Sequence, residues 1–259
     1  MAAIQFTVDK LRVRILGSVA EVGTTAAATT AETIRRAVAE RGAARVILAT
    51  GNSQLAFIAA LRAESNVPWD SVTVFHMDEY VGVDADHPAS FQRWIGGNVA
   101  DRFHPAAVHY LQGDTADPEQ EALRYEKLLR AAPLDLVCMG IGENGHIAFN
   151  EPFQADFADE RWVRVIELDD RSRKQQVGEG HFRTVQDVPR SAISLTVPAL
   201  LAPAAVQVTA PEARKAEAVR AALTGPVSNA CPATVLREHP NADLFLDRDS
   251  AALLDQFTG

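Results

Sequence analysis

Two acidic residues side by side, Asp78 and Glu79, sit inside His76-Met77-Asp78-Glu79-Tyr80 at the end of the apolar run Val72-Thr73-Val74-Phe75. Burial at such a place raises a carboxylate's pKa and turns it into a usable proton-abstracting base. A second group follows another apolar run, Leu134-Asp135-Leu136-Val137-Cys138-Met139: within Gly140-Ile141-Gly142-Glu143-Asn144-Gly145-His146-Ile147-Ala148-Phe149-Asn150-Glu151-Pro152, three glycines accompany a histidine and two acids. His146 beside Gly145 and close to Glu151 is a candidate functional group, set against the plainer reading of a structural loop histidine. The third group, Thr50-Gly51-Asn52-Ser53, follows Arg45-Val46-Ile47-Leu48-Ala49. Unpaired amides at the start of a helix, with hydroxyls from Thr50 and Ser53 and close approach at Gly51, suit a phosphate. The alternative is an ordinary strand-to-helix turn capped by Asn52 or Ser53.

The spacing Gly140-x-Gly142-x-x-Gly145 after a strand also matches a dinucleotide fingerprint, with Glu167, Asp169 and Asp170 at about the right distance for a ribose-binding acid. That reading needs the last glycine to open a helix. Asn150-Glu151-Pro152 stands in the way, because proline disfavours helical geometry at the residue before it. No nicotinamide is therefore expected. Asp84, Asp86 and His87 follow the Asp78 segment, but their spacing fits no metal-ligand pattern, so no metal is expected either.

These groups need strands to carry them. The apolar runs are short and rich in β-branched residues, as buried parallel strands are, and in open α/β sheets ligands bind at the carboxyl ends of such strands. Strands are also expected at Val13–Leu16, Arg164–Leu168, Ala192–Thr196, Ala205–Thr209 and Ala242–Leu246. Helices are expected at Glu21–Arg41, which stops at Gly42, after Ser53, at Ser90–Phe103 despite Gly96-Gly97, and from Glu119 to Ala131 behind Asp117-Pro118. A charged helix or turn is expected over 169–177. The helix expected from Pro211 to Leu223 places Arg214 and Lys215 in its first turns, where cations work against the helix dipole, which makes Lys215 a candidate for an anionic ligand. Short helices are expected at 232–236 and 251–254. The fold class is α/β: a Rossmann-like open sheet, mostly parallel, with helices on both faces, in one domain over 1–259.

With 259 residues, 47% of them hydrophobic, the chain can bury a sizeable core. Its formal net charge of −9 and lack of any Lys/Arg cluster exclude a nucleic-acid partner. No apolar stretch approaches the length of a membrane span, and the amino terminus lacks the features of a signal peptide. Cys138 and Cys231 stand far apart with no metal-ligand spacing, so both read as reduced thiols of a cytoplasmic protein.

Taken together, Thr50-Gly51-Asn52-Ser53, His76 to Gly82 with His87-Pro88-x-Ser90, and Gly140 to Pro152 resemble the glucosamine-6-phosphate deaminases, and the likeness covers most of the length. The resemblance implies conversion of glucosamine 6-phosphate and water to fructose 6-phosphate and ammonia, without cofactor or metal. It implies that His146 opens the sugar ring with Glu151 orienting its imidazole, that Asp78 moves the C2 proton to C1, and that Lys215 and the Thr50–Ser53 loop hold the phosphate. The best-known deaminases carry aspartate at Asn144, which can hydrogen-bond the histidine but carries no charge. The phosphate arginine has no clean counterpart among Arg171 and Arg173. Phe153-Gln154-Ala155-Asp156-Phe157 replaces a serine-rich segment of the allosteric members, and the C-terminal extension is absent, so their activation and hexamer are not expected. A homo-oligomer is otherwise compatible with the sequence. The rival 6-phosphogluconolactonases resemble Asp-Glu-Arg and Asp-Gly-His-Thr in the second and third motifs, where this chain has Tyr80, Ile147 and Glu151. A galactosamine-6-phosphate deaminase and a non-catalytic sugar-phosphate sensor are the remaining alternatives.

Overall fold

The computed structural model of the chain describes residues 3–168, 170–178, 180 and 182–254, and of residues 171 and 175 the backbone alone. Eleven strands occur among them: β1 (Ile4–Val8), β2 (Leu11–Leu16), β3 (Ala44–Leu48), β4 (Val72–His76), β5 (Asp78–Tyr80), β6 (Ala107–His109), β7 (Leu136–Met139), β8 (Val163–Glu167), β9 (Ser191–Leu195), β10 (Ala205–Thr209) and β11 (Ala242–Asp247). Eight of them form one sheet in the order β1-β2-β11-β10-β7-β3-β4-β6, parallel throughout except for the edge pair β1–β2. From β3 the chain crosses to β4 on one side, whereas the strands that follow β7 in this sheet, β10 and β11, lie on the other. The connections diverge at the carboxyl ends of β3 and β7, which opens a crevice there.

The central strands are apolar on both faces because both are covered. Along β3, Val46 and Leu48 join a core with α1 (Val19–Arg41) and α2 (Leu55–Leu61), while Ile47 joins the opposite core with Tyr125 and Leu129 of α5 (Pro118–Arg130). Each such buried side chain contributes about 1.5–3 kcal/mol. The α/β architecture with a large, mostly parallel sheet flanked by helices is thus the one the sequence implies.

Three strands leave this sheet. β5, β9 and β8 form a small antiparallel sheet that covers the carboxyl end of the large one. Its register pairs Asp78 with Ser194, and Leu195 N–H donates to Met77 O at 2.8 Å, so Asp78 is pulled out of line with β4 and fixed at the crevice.

Several local expectations change. The helix over Ser90–Phe103 forms in three parts, α3 (Phe91–Ile95), a widened π turn at Gly96–Ala100 and α4 (Asp101–Phe103), with the glycine pair at the widening. α6 spans Asp170–Gly178, and Asp169 lies outside the described residues. α7 (Val197–Leu201) links β9 to β10. The helix expected from Pro211 starts later: a 3₁₀ turn, Ala213–Lys215, precedes α8 (Ala216–Thr224), because Glu212 takes a left-handed φ of 82° and its N–H is tied to Asp247 Oδ1 at 3.1 Å. Pro232–Glu238 is 3₁₀, and residues 251–253 make only a turn, closed on Asp247.

Candidate active site

The crevice is a cleft of about 650 Å³, its open mouth included. Thr50, Gly51, Asn52 and Ser53 line it from β3, Asp78 from β5, Gly140, Gly142 and His146 from the loop after β7, and Lys215 from the turn after β10. Phe91, Phe149 and Gln176 complete the wall. Of the expected site residues, Glu151 and Asn144 stand apart from this lining, behind His146.

Three buried carboxylates near the cleft have different surroundings, and the differences assign their chemistry. Asp78 is 7% exposed, and among the described residues nothing donates to its carboxylate. Burial, helped by the neighbouring Glu79, pushes its pKa up to about 8. Its backbone is held from below: the ring of His76 bonds Asp78 O through Nδ1 at 2.9 Å and accepts Leu111 N–H at Nε2 at 2.9 Å. Burial lowers the His76 pKa to about 4, so the ring is neutral with its proton on Nδ1. Glu79 faces away and accepts from Ser90 Oγ and the amides of Tyr80, Phe91 and Gln92, which caps α3. Burial raises its pKa, but these donors oppose the rise. Asp78 is the base-like member, and Glu79 is structural.

Glu151 is fully buried. Burial alone would raise its pKa, yet the contacts with His146, Ser172 and Asn144 outweigh it and hold the group at about 2. Its Oε1 lies 3.4 Å from His146 Nδ1, out of hydrogen-bonding geometry, and accepts from Ser172 Oγ. Its Oε2 accepts from Asn144 Nδ2 at 2.7 Å. A carboxylate that stays ionised at neutral pH thus backs an imidazole that opens on the cleft.

Asn144 does not bond the imidazole. Its Oδ1 accepts the backbone N–H of His146 at 3.1 Å, so one amide ties the loop to Glu151 and supplies that carboxylate with a neutral donor. Asn144→Asp would put a second carboxylate against Glu151. Two carboxylates so close cannot both ionise freely, and the raised pKa of one makes the folded state lose stability as pH rises. The variant is expected to melt lower than the parent at pH 8 and to recover toward pH 5, as thermal unfolding at both pH values will reveal.

The loop is built for this arrangement. A Cβ at Gly142 would lie 2.2–2.4 Å from the His146 ring, so only glycine lets the imidazole lie over the backbone. Gly145 turns with φ +86° and is packed against Cys231. Asn150 Nδ2 donates to Leu195 O at 2.8 Å and Phe149 N–H to Ser194 Oγ at 3.1 Å, which staples the loop to β9.

At the other end, neither Asn52 nor Ser53 caps a helix: the turn Asn52–Gln54 has Gly51 at its cap position and no side-chain cap bond. Gln54 Nε2 instead reaches Ser53 Oγ at 3.2 Å and Thr209 Oγ1 at 3.0 Å beneath the loop. Lys215 is buried, a cation held at the cleft wall. Arg214 pairs with Glu212 and Glu143. Arg173 donates to Val185 O and Val188 O and pairs with Asp170, so it pins α6 and does not line the cleft. The Arg171 side chain lies outside the described residues.

Residues 17–245 match the model of the glucosamine-6-phosphate isomerase/6-phosphogluconolactonase family. The chain belongs to this family. Glucosamine-6-phosphate deaminase of Exiguobacterium sibiricum is 36% identical over 210 residues, 80% of each chain. That of Bacillus cytotoxicus is 33% identical over 223 residues, 86% of this chain and 83% of the relative. The solved structure of a monomeric glucosamine-6-phosphate deaminase superposes with a TM-score of 0.83 at 30% identity, over 93% of this chain and 99% of that one. A 6-phosphogluconolactonase from Shewanella baltica superposes with a TM-score of 0.74 over 95% and 100% of the two chains, but at 21% identity it shares the fold alone.

Within this glucosamine-6-phosphate isomerase/6-phosphogluconolactonase frame, the sequence reading passed over His76, Ser172 and Gln176. His76 lies in the same motif as Asp78 and Glu79, and its type alone does not tell a structural ring from a catalytic one. Ser172 and Gln176 are four apart, hence on one face of α6, a spacing visible in sequence without any sign of which face turns inward.

Proposed function

We propose that the chain is a glucosamine-6-phosphate deaminase. The observation that supports this most is a carboxylate poised near pKa 8, Asp78, in the same cleft as a histidine backed by an ionised carboxylate. A base of that strength suits removal of a proton from carbon at neutral to mildly alkaline pH. The relatives at 33–36% identity bear the same activity in their names.

His146 takes the C1 hydroxyl proton of the cyclic sugar and returns a proton to the ring oxygen, opening the chain to the aldehyde. Asp78 then removes the C2 proton, the C1=O π electrons move to oxygen, which takes a proton from the substrate's own ammonium group, and an enolamine forms with a C1–C2 double bond. Asp78 returns its proton to C1, which leaves a protonated imine at C2. Water adds to that imine and ammonia departs, giving the 2-ketose. Lys215 and the amides and hydroxyls of Thr50–Ser53 hold the phosphate, so the reacting carbons are fixed at the opposite wall. A cytoplasmic setting agrees with Cys138 and Cys231, both free thiols.

Ammonia release from glucosamine 6-phosphate, measured beside galactosamine 6-phosphate and beside hydrolysis of 6-phosphogluconolactone on the same sample, tests the reading. Ammonia from the gluco sugar is expected. Silence with both amino sugars together with fast lactone hydrolysis would replace it with the lactonase, and preference for the galacto sugar would change the substrate.

A further inference from the structure

Gln176 is a polar residue of the cleft wall to which the proton transfers and the anion site assign nothing, and its amide is set in one orientation. It lies on α6, is 6% exposed and lines the cleft. Tyr80 Oη donates to its Oε1 at 2.6 Å. Among the described residues no acceptor takes the protons of its Nε2. A fixed carbonyl end and an unclaimed amino end make a one-way reader: the group can donate to an oxygen of a bound molecule and cannot easily turn to accept from one.

Its place along the cleft says which oxygen. Tyr80 is two residues from Asp78 on β5, so their side chains leave the strand on the same face. One turn before Gln176 on α6, Ser172 holds Glu151. Gln176 is thus tied through Tyr80, and through the helix turn it shares with Ser172, to the proton-transfer wall, whereas the anion-holding groups, Lys215 and the Thr50–Ser53 loop, come from the ends of β10 and β3. Phe91 and Phe149 pack on Tyr80, with ring centroids at 4.9 and 5.6 Å, and stiffen the support.

We propose that Gln176 is a specificity-determining residue whose Nε2 donates to a sugar oxygen, a hydroxyl or the opened-chain carbonyl near the reacting carbons, and not to the phosphate. The proposal deepens the deaminase reading and rests on it for the substrate class. A site donor left without its acceptor, or a substrate oxygen without its donor, costs affinity for the sugar and leaves anion binding alone.

The test compares the KM for glucosamine 6-phosphate with the inhibition constant of inorganic phosphate. For Gln176→Leu, and for the similarly long Gln176→Met should the leucine variant fail to fold, KM is expected to rise about tenfold or more with the phosphate constant within twofold of the parent. Tyr80→Phe, which frees the amide to rotate, is expected to shift KM in the same direction by less. Lys215→Met is the contrast and is expected to weaken both constants together. A KM unchanged within twofold in the Gln176 variants, or a phosphate constant that rises in step with KM, overturns the proposal. If the parent releases no ammonia, the deaminase reading falls by itself. The same comparison is then read from calorimetric dissociation constants of fructose 6-phosphate and inorganic phosphate, with the same two overturning outcomes.

Discussion

Asp78→Asn is expected to keep the fold and lose turnover by about 10²–10⁴, the range a positioned base supplies. The side chain is nearly isosteric, and no described residue donates to the carboxylate, so the change breaks no hydrogen bond. What it removes is the lining carboxylate whose burial makes it a base near neutrality. The measurement is ammonia release together with exchange of the C2 hydrogen in deuterated water, followed by proton NMR. A purified variant that exchanges within tenfold of the parent would sink the assignment. The parent carries a companion signature in pH: the base must be ionised to act, so kcat/KM is expected to climb as pH rises through about 8.

The stability of the same variant has a sign that can be worked out. Unfolded, Asp78 titrates near 3.9, and folded it titrates near 8, so between those values the native state binds more protons than the unfolded chain. This group therefore stabilises the fold fully below about pH 4, and the contribution is lost as pH rises through about 8. Asparagine has no such slope. Asp78→Asn is expected to melt higher than the parent at pH 9 and to lose that advantage toward pH 5.

Much of this was legible because the chemistry follows strands. The runs before Thr50, His76 and Gly140 are apolar and β-branched, and a parallel strand delivers whatever follows it to one edge of the sheet. The turns that converge on the cleft could be named without knowing the strand order. What could not be read was tertiary. Val163–Glu167 and Ser191–Leu195 look like any other strands, yet they pair antiparallel in a second sheet, because β5 offers β9 an edge away from the main sheet and β9 offers the next edge to β8. Lys215 was expected on a helix end and is instead carried by a 3₁₀ turn, since Glu212 adopts a positive φ that nothing in Pro211-Glu212-Ala213 announces. Asn144 looked like a partner of the imidazole. Two residues from His146 in a tight turn, its carbonyl meets the backbone amide, and its nitrogen is left for Glu151.

Glu151→Gln is the second large effect, and it separates the orienting carboxylate from the base. Glutamine can still accept from Asn144 or Ser172 but offers no charge to His146, so ring opening loses its stabilised imidazolium and kcat is expected to fall about 10²–10⁴. KM for the sugar phosphate should change little, because Glu151 lies behind the histidine and does not line the cleft. A loss seen in KM alone would mean that the residue serves binding. Its stability signature runs opposite to that of Asp78. The folded pKa is near 2 and the unfolded value near 4.3, so the carboxylate contributes stability above about pH 4 that is lost as pH falls through about 2, roughly 3 kcal/mol at neutral pH. Glu151→Gln is therefore expected to melt below the parent at pH 7 and to close the gap below pH 3. Neutralising either carboxylate would silence the reaction, yet the change at Asp78 would steady the fold in alkali and the change at Glu151 would weaken it at neutral pH. A single effect of global misfolding could not produce that pair of opposite slopes.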